Sequence, residues 1–218
     1  MKKTNAAWKH YLALGIALLA FRAVIAEAYV IPSESMRPTF EIGDRVLVSK
    51  STYGARLPFT TKKVDGDKAQ RGEIAVFLDP KNPLGTPLIK RIIAIGGDWV
   101  AVDRSIIYIN GQPVSRQPTT KACKTLMGES CIFFRETLGQ RTYQTIEISQ
   151  RSGPADQMTS RKVPPGHVFV MGDNRDNSND SRFWGYVPYS HLVGKARLRF
   201  WSRDSETGIR WNRLFSPL

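Results

Sequence analysis

The sequence predicts a mostly β protein preceded by one N-terminal transmembrane helix. Short apolar runs alternate with turn-forming residues along the chain, and clear examples are 45–49, 74–78 and 168–171. A basic start followed by a long apolar run marks the N-terminus. The 218 residues, without an internal repeat or a low-complexity tract, are enough for one or two domains with a real apolar core.

The N-terminal apolar run has three possible interpretations. Three lysines lie within residues 1–9, an apolar stretch covers 11–21, and apolar character resumes after Arg22. A cleavable signal peptide would fit the basic start and the small residues at 26–28, whereas a buried soluble helix would leave lysines beside a very apolar run. We favour a membrane anchor of about 20 residues, because Arg22 would interrupt a secretory segment but can snorkel to an interface. We predict a cytoplasmic segment 1–9, a transmembrane helix 10–28 and an exported remainder.

The net charge of +13 raises the question of a nucleic-acid partner. The basic residues are scattered along the chain, and neither a zinc-finger spacing nor an RNA-binding signature is present. Attraction to anionic lipid headgroups explains the charge at least as well. We therefore expect membrane lipids as partners and no nucleic acid.

The chain contains two cysteines, Cys123 and Cys131, close together in a polar, glycine-containing segment. An exported protein meets an oxidising compartment, which favours a disulfide between them over two free thiols. Closing such a short loop adds about 2–3 kcal/mol in the chain-entropy description. Their spacing does not suit zinc, and no metal site is predicted.

The most conspicuous polar segment is the loop 172–185, which follows the apolar run 168–171. It is rich in Asp, Asn, Arg and Ser, has glycine at both ends, and lacks the periodicity of a helix or a strand. A solvated surface loop is one interpretation. The apolar run before it and Trp184 near its end favour a loop held by a core, as at a functional site.

Calcium binding is a second hypothesis for this loop. Asp176, Ser178 and Asp180 alternate as the ligands of a helix–loop–helix calcium site do. The template then requires Gly and Glu at positions occupied by Ser181 and Val187. The sequence therefore excludes this metal site.

Two serines form a candidate nucleophile site directly after the predicted anchor. Ser33 and Ser35 lie in a turn flanked by Pro32 and Pro38. Taken alone, such a turn is equally well a loop whose hydroxyl groups cap their own backbone. Its rigid position just outside the bilayer is what makes a functional role worth testing.

A serine nucleophile needs a base, and histidine is the usual one. His10 would lie across the membrane, while His167 and His191 lie among turn and strand-boundary residues. Lysine is the alternative base if burial keeps it neutral, because desolvation lowers its pKa. Lys90 lies in the apolar stretch 88–95, where strand alternation gives it apolar neighbours on its own face. A surface strand with a snorkelling lysine is the competing interpretation.

Together, the serine turn, the lysine strand and the polar loop resemble the bacterial type I signal (leader) peptidases, the membrane-bound Ser-Lys proteases. The matching stretches occur in the family's order and cover essentially the whole exported region: 32–39, 43–50, 71–77, 90–98 and 172–185.

The resemblance implies a role for each of four residues. Ser35 would be the nucleophile and Lys90 the neutral general base. The Ser33 hydroxyl and the backbone N–H of Ser35 would form the oxyanion hole. Ser178 would hydrogen-bond Lys90 and orient it.

Two ion pairs are also implied, Arg91 with Asp173 and Asp180 with Arg182, both fixing the loop behind the dyad. Glu34 departs from the glycine that many relatives have between the two serines. It places a carboxylate beside the nucleophile, and since some relatives carry Glu there, we expect activity to survive.

The implied fold is an antiparallel β-sheet catalytic core made of residues 32–100 and 165–218. A smaller inserted β-rich cap would cover 101–164 and carry both cysteines. Ile31 and Pro32 would help line shallow substrate pockets that accept small side chains before the scissile bond.

The predicted function is a serine endopeptidase of the bacterial inner membrane, with its catalytic domain in the periplasm, that removes signal peptides after small residues. Its partners would be signal-peptide-bearing preproteins and membrane lipids, with no cofactor and no metal. Two alternatives remain. One is a dedicated maturation peptidase for pilin or conjugation substrates that uses the same dyad. The other is a membrane-anchored basic binding protein without catalysis.

Overall fold

The computed structural model describes residues 8–15, 26–54, 66–125, 127–149 and 153–218. The prediction of a mostly β protein is confirmed, since strands dominate these residues and pair antiparallel in three sheets. In chain order the strands are β1 (Ala26–Val30), β2 (Asp44–Ser49), β3 (Ile74–Phe77), β4 (Leu88–Ile95), β5 (Trp99–Asp103), β6 (Ile106–Ile109), β7 (Gln112–Pro113), β8 (Ser115–Lys124), β9 (Ser130–Leu138), β10 (Arg141–Ile148), β11 (Gln157–Lys162), β12 (His167–Met171), β13 (Val187–Pro188), β14 (Leu192–Asp204), β15 (Gly208–Ile209) and β16 (Ser216–Pro217).

Helical structure is sparse in the same part of the chain. Residues 8–15 are helical, and a four-residue α-helix spans Ser181–Trp184. Short 3-10 turns lie at Glu34–Met36, Pro154–Asp156, Arg175–Asn177, Tyr189–His191 and Trp211–Arg213.

The predicted transmembrane helix 10–28 falls mostly outside the described residues, because 16–25 are not among them. β1 begins at Ala26, so the last three residues of the predicted span are extended strand rather than helix. Of the helices that the described residues form, none combines the length and the hydropathy that a bilayer crossing requires. The anchor therefore stays a prediction.

The largest sheet positions the lysine strand at its centre. Its strands follow the order β1-β2-β14-β3-β4-β12-β13, with β15 and β16 also pairing with β14. β14 is irregular against both β2 and β3, and such bulges bend and twist a strand, so the sheet curls. In β4, Lys90 pairs with Ala75, and Arg91 lies between Ile74 and Met171.

Apolar residues fix the serine turn to this sheet. Met36 and Phe40 are both fully buried and pack with Val46 and Val48, which alternate inward along β2. Burying one such side chain stabilises the fold by about 1.5–3 kcal/mol. Ile31 joins the same cluster from the N-terminal side of the turn. The backbone around the two serines is thus held from both ends.

Two smaller sheets arise between β4 and β12, with the orders β11-β5-β6-β7 and β10-β9-β8. The predicted cap range 101–164 contains these strands, except that β5 already begins at Trp99. Their apolar residues, such as Val100 and Tyr143, form one cluster with Phe169 and Met171 of the large sheet. The inserted segment therefore shares its core with the rest of the molecule.

The two cysteines face each other across neighbouring strands of the inserted segment. Cys123 in β8 is the register partner of Cys131 in β9, and the structure joins them by a disulfide bond. This is the pairing that the sequence favours for an exported chain.

Candidate active site

The two residues proposed from the sequence as nucleophile and base are in direct contact. Lys90 Nζ lies 2.7 Å from Ser35 Oγ. Ser35 belongs to the turn Glu34–Met36 and Lys90 to β4, so the contact joins the serine turn to the centre of the large sheet. A separation of this size is what proton transfer from a hydroxyl to a base requires.

Lys90 is buried, with only 5% of its surface exposed. Burial lowers the pKa of Lys90 from 10.5 to about 8, although the charges of Asp180 and Asp173 partly oppose the shift. Lys90 Nζ also donates a hydrogen bond to the backbone oxygen of Ile89 at 3.1 Å. A pKa near 8 makes the neutral amine accessible near physiological pH, so the group can accept a proton.

Ser33 lies beside the same pair, with its Oγ 3.4 Å from Ser35 Oγ. Its backbone is extended, with φ of −139°, and it directly precedes the turn that carries Ser35. The Ser33 hydroxyl and the dyad face one cavity. The hydroxyl is therefore placed where it can donate to an oxyanion formed next to Ser35.

Ser178 does not make the hydrogen bond to Lys90 that the resemblance implied. It is 7% exposed, and its Oγ has no hydrogen-bond partner in the described part of the chain. Ser178 Oγ and the Ser35 carbonyl oxygen instead lie close to Gly172. A Cβ added to Gly172 would overlap both of these atoms. Only glycine allows the loop to approach the serine turn this closely.

The loop is fixed by two buried, bidentate ion pairs. Arg91 donates from Nε and Nη2 to Asp173 at 2.7 and 2.6 Å, and Arg182 donates in the same way to Asp180 at 2.9 Å for both bonds. Asp180 also accepts the backbone N–H of Gly172 at 3.0 Å. Charge-assisted bonds of this geometry are the strong ones in proteins, and together they hold the loop behind the lysine.

Sequence reasoning missed a third buried ion pair. Arg175 donates to Glu136 from Nη1 at 2.6 Å and from Nη2 at 2.5 Å, and both side chains are at most 2% exposed. Glu136 lies in β9 of the inserted segment, on the same buried face as Leu138. One sequence signal could have indicated that Glu136 is buried and paired, namely a carboxylate at an apolar position of an alternating strand.

Thr39 is a second missed residue. Its Oγ1 donates to Asp173 Oδ2 at 2.5 Å, and Arg91 Nη2 in turn lies 3.3 Å from Thr39 Oγ1. The end of the serine turn is thus joined to the ion pair that holds the loop.

A cavity of about 550 Å³ surrounds the dyad. Ile42, Leu88 and Trp184 contribute apolar surface to it, and Glu34 contributes a carboxylate that accepts a hydrogen bond from Asn177 Nδ2 at 3.1 Å.

The two residues expected to line the substrate pocket lie elsewhere. Ile31 is 2% exposed and packs in the core beneath the serine turn, because its backbone N–H continues the pairing with Asp44. Pro32 is exposed and is not among the described residues that line the cavity.

A serine in contact with a buried lysine, on an antiparallel β scaffold, has the geometry of a serine hydrolase whose base is lysine. The family described as signal peptidase, peptidase S26, matches residues 4–201 of the chain. The protein therefore belongs to the signal peptidase family, as its sequence motifs predict.

Individual relatives agree with this family. Signal peptidase I of Pseudomonas fluorescens and that of Pseudomonas aeruginosa are each 40% identical over 193 residues, which cover 82% of this chain and 66% of theirs. A probable signal peptidase I-1 of Synechocystis is 36% identical over 211 residues, 94% of this chain and 83% of that protein. A crystal structure of a signal peptidase I from Enterococcus faecalis V583 aligns at 28% identity with a TM-score of 0.36, covering 59% of this chain and 97% of that one. This chain spans just under two thirds of the length of the Pseudomonas relatives.

Proposed function

We propose that this protein is a membrane-bound serine endopeptidase that removes signal peptides from exported preproteins after small residues. Ser35 is the nucleophile and Lys90 the general base. The observation that carries the proposal is the 2.7 Å contact between Ser35 Oγ and a lysine whose burial lowers its pKa to about 8. The substrate class comes from the relatives, which are named signal peptidase I.

In the first half of the reaction, neutral Lys90 takes the proton of Ser35 as its Oγ attacks the scissile carbonyl carbon. The oxyanion of the tetrahedral intermediate accepts hydrogen bonds from the Ser33 hydroxyl and the backbone N–H of Ser35, which favours the transition state over the substrate. The Lys90 ammonium then gives its proton to the leaving amine, and an ester to Ser35 remains. The negative charges of Asp173 and Asp180 stabilise the transient ammonium.

In the second half, Lys90 is neutral again and takes a proton from the water that attacks the ester. Collapse of the second intermediate returns that proton to Ser35 and releases the carboxyl end of the signal peptide. The site needs no additional acid or base, because one lysine alternates between the two roles.

The membrane location completes the proposal. The predicted anchor would end before β1 begins at Ala26, and the serine turn follows shortly afterwards, which would keep Ser35 close to the bilayer surface where a signal segment emerges. Trp211 and Phe215 are more than two thirds exposed, and the amphipathic ring of Trp211 favours the headgroup region. The catalytic domain would lie on the periplasmic side, with anionic lipids attracted by the net charge of +13.

A panel of unrelated preproteins tests the function. The detergent-solubilised protein is expected to cleave several of them after small residues, and Ser35→Ala to reduce the rate by about 10⁴-fold or more without affecting membrane insertion. Ser51→Ala, an exposed serine after β2, is the matched control and should cleave like the wild type. Cleavage of one substrate alone would indicate a dedicated maturation peptidase, and full activity of Ser35→Ala would exclude the mechanism.

The pH profile tests the role of the lysine. Only neutral Lys90 accepts the serine proton, so kcat/KM for a non-ionising peptide should rise roughly tenfold per pH unit at low pH and level off near the lysine pKa of about 8. The measurement is steady-state cleavage at constant ionic strength over the range in which the protein stays folded. A flat profile between pH 6 and 8 would contradict a lysine base, because roughly a 50-fold change is expected across those two units for a pKa of about 8.

A further inference from the structure

A second cavity, of about 540 Å³, lies beside β14 and has no lining residue in common with the cavity around the dyad. Five cationic side chains line it: Arg91, Arg141, Lys195, Arg199 and Arg213. Among the described residues, Glu73 is the one acidic side chain in the lining. We call this space the basic cavity.

The carboxylates near the basic cavity do not balance its cations. Glu73 is shared, since it contacts both Lys195 and, at 3.5 Å, Arg141. Arg91 is matched by Asp173 behind the wall. One carboxylate between Lys195 and Arg141 leaves a positive charge on this side of the cavity.

The opposite side is equally short of carboxylates. Asp44 is fully buried and pairs with Arg213 at 2.7 Å, while Arg199 lies 4.0 Å from the same group. Burial and the neighbouring charge of Arg213 lower the pKa of Arg199, as crowding of like charges does. Cationic side chains therefore outnumber acidic side chains in the lining of the cavity.

One donor on this wall is unused. Arg213 Nε is buried and has no hydrogen-bond partner among the described residues, whereas its Nη2 donates to Asp44 and to the backbone oxygen of Thr39. A buried N–H without an acceptor is unfavourable, and an anion in the cavity would satisfy it once Arg213 moves enough to expose Nε.

We propose that the basic cavity binds a phosphate-bearing anion, carried by a lipid headgroup or free in solution. Guanidinium groups match phosphate oxygens in geometry, and the oxygens of a tetrahedral anion point in more directions than those of a planar carboxylate, which suits donors on several walls. A volume of about 540 Å³ admits a phosphate together with the glycerol of a headgroup. The proposal rests on the cavity alone and does not depend on the peptidase activity.

The test uses the full-length protein in an uncharged detergent. Inorganic phosphate is titrated at constant ionic strength set with sodium chloride, and binding is measured by calorimetry and by the shift in Tm. A second arm measures binding of the same protein to phosphatidylcholine vesicles with and without phosphatidylglycerol. A phosphate-dependent rise in Tm without a lipid preference identifies free phosphate as the source, and a preference for phosphatidylglycerol identifies the headgroup.

Arg141→Gln is the informative variant, because this side chain is 36% exposed and its contact to Glu73 is long, so it can be replaced without disturbing the core. Arg141→Gln should bind the probe, phosphate or phosphatidylglycerol, about fivefold or more weakly than the wild type does. Such a loss is expected when one charged contact to a phosphate is removed. Arg213→Gln should do the same, although it also removes a partner of Asp44. The matched control is Arg104→Gln, which deletes one charge from a side chain that is 84% exposed.

Three outcomes would overturn the proposal. The first is that neither phosphate nor phosphatidylglycerol binds the wild type. The second is that Arg141→Gln binds as tightly as the wild type. The third is that Arg104→Gln weakens binding as much as Arg141→Gln, since the effect would then come from net charge and not from the cavity.

Discussion

Replacing Lys90 by methionine is expected to abolish signal-peptide cleavage, by about 10⁴-fold or more, while making the folded protein more stable. Methionine is nearly as long as lysine but cannot accept a proton, so Ser35 loses its base. The stability gain follows from burial. At neutral pH the wild type must keep an amine in an apolar site, either as a desolvated ammonium or as a neutral amine formed at a cost.

The sign of the stability effect follows from the pKa of Lys90. Its value of about 8 in the folded state lies below the ordinary 10.5, so the unfolded chain binds more protons between these two values. Wild-type stability therefore rises with pH across this window, and below pH 8 the full penalty, roughly 3 kcal/mol at most, is present. The lost hydrogen bond to Ser35 offsets about 1 kcal/mol of the gain in the variant.

Urea unfolding of both proteins at pH 7 and at pH 10 measures this effect. Lys90→Met should be more stable than the wild type at pH 7, and the difference should shrink at pH 10. Lys68→Met changes an exposed lysine in the same way and should leave both activity and stability unaltered. Cleavage activity retained by Lys90→Met would exclude the lysine as base, and a less stable variant at pH 7 would show that the amine contributes to the fold.

Glu136→Gln is expected to destabilise the protein by about 3–5 kcal/mol, the usual cost of leaving a buried charge without its partner. Arg175 is 2% exposed and donates two hydrogen bonds to this carboxylate, and a neutral amide cannot replace the charge. Cleavage should fall as well, because Arg175 lies in the loop next to Ser178 and behind the dyad.

A double variant distinguishes the loss of the whole ion pair from the loss of one charge. Glu136→Leu combined with Arg175→Met removes both charges and keeps apolar volume, so it should be more stable than Glu136→Gln alone. Glu206→Gln, on an exposed turn, is the control and should unfold like the wild type. Chemical denaturation gives the comparison. A difference below about 1 kcal/mol between Glu136→Gln and the wild type would mean that the ion pair does not hold the loop.

The sequence predicted the parts of the site that depend on local pattern. Alternation along 88–95 placed Lys90 among apolar neighbours, and the polar loop carries Asp173, Asp180 and Arg182 within one short motif. The mostly β class likewise follows from short apolar runs between turns. Side-chain periodicity is sufficient evidence for the strand features, whereas the roles of the loop residues followed from the resemblance to the family.

Contacts between distant segments were beyond this kind of reasoning. Glu136 reaches Arg175 from another sheet, and nothing local to either residue specifies that pairing. Ile31 points into the core because it continues the pairing of β1 with β2, through its backbone hydrogen bond to Asp44. The sequence around Pro32 does not reveal this pairing. The expected hydrogen bond from Ser178 to Lys90 is likewise a contact between segments far apart in the chain, and Ser178 lies against Gly172 instead. These differences all depend on topology or on side-chain geometry.

The apolar cluster that spans the inserted sheets and β12 makes the molecule one cooperative folding unit. Val100 and Tyr143 cannot leave Phe169 without exposing the strand that leads into the catalytic loop. Unfolding of the inserted segment and loss of the Ser35–Lys90 contact should therefore occur in the same transition. Deleting the inserted segment would expose apolar surface of the large sheet to solvent. We therefore expect no partly unfolded form in which the insertion is loose and Ser35 still contacts Lys90.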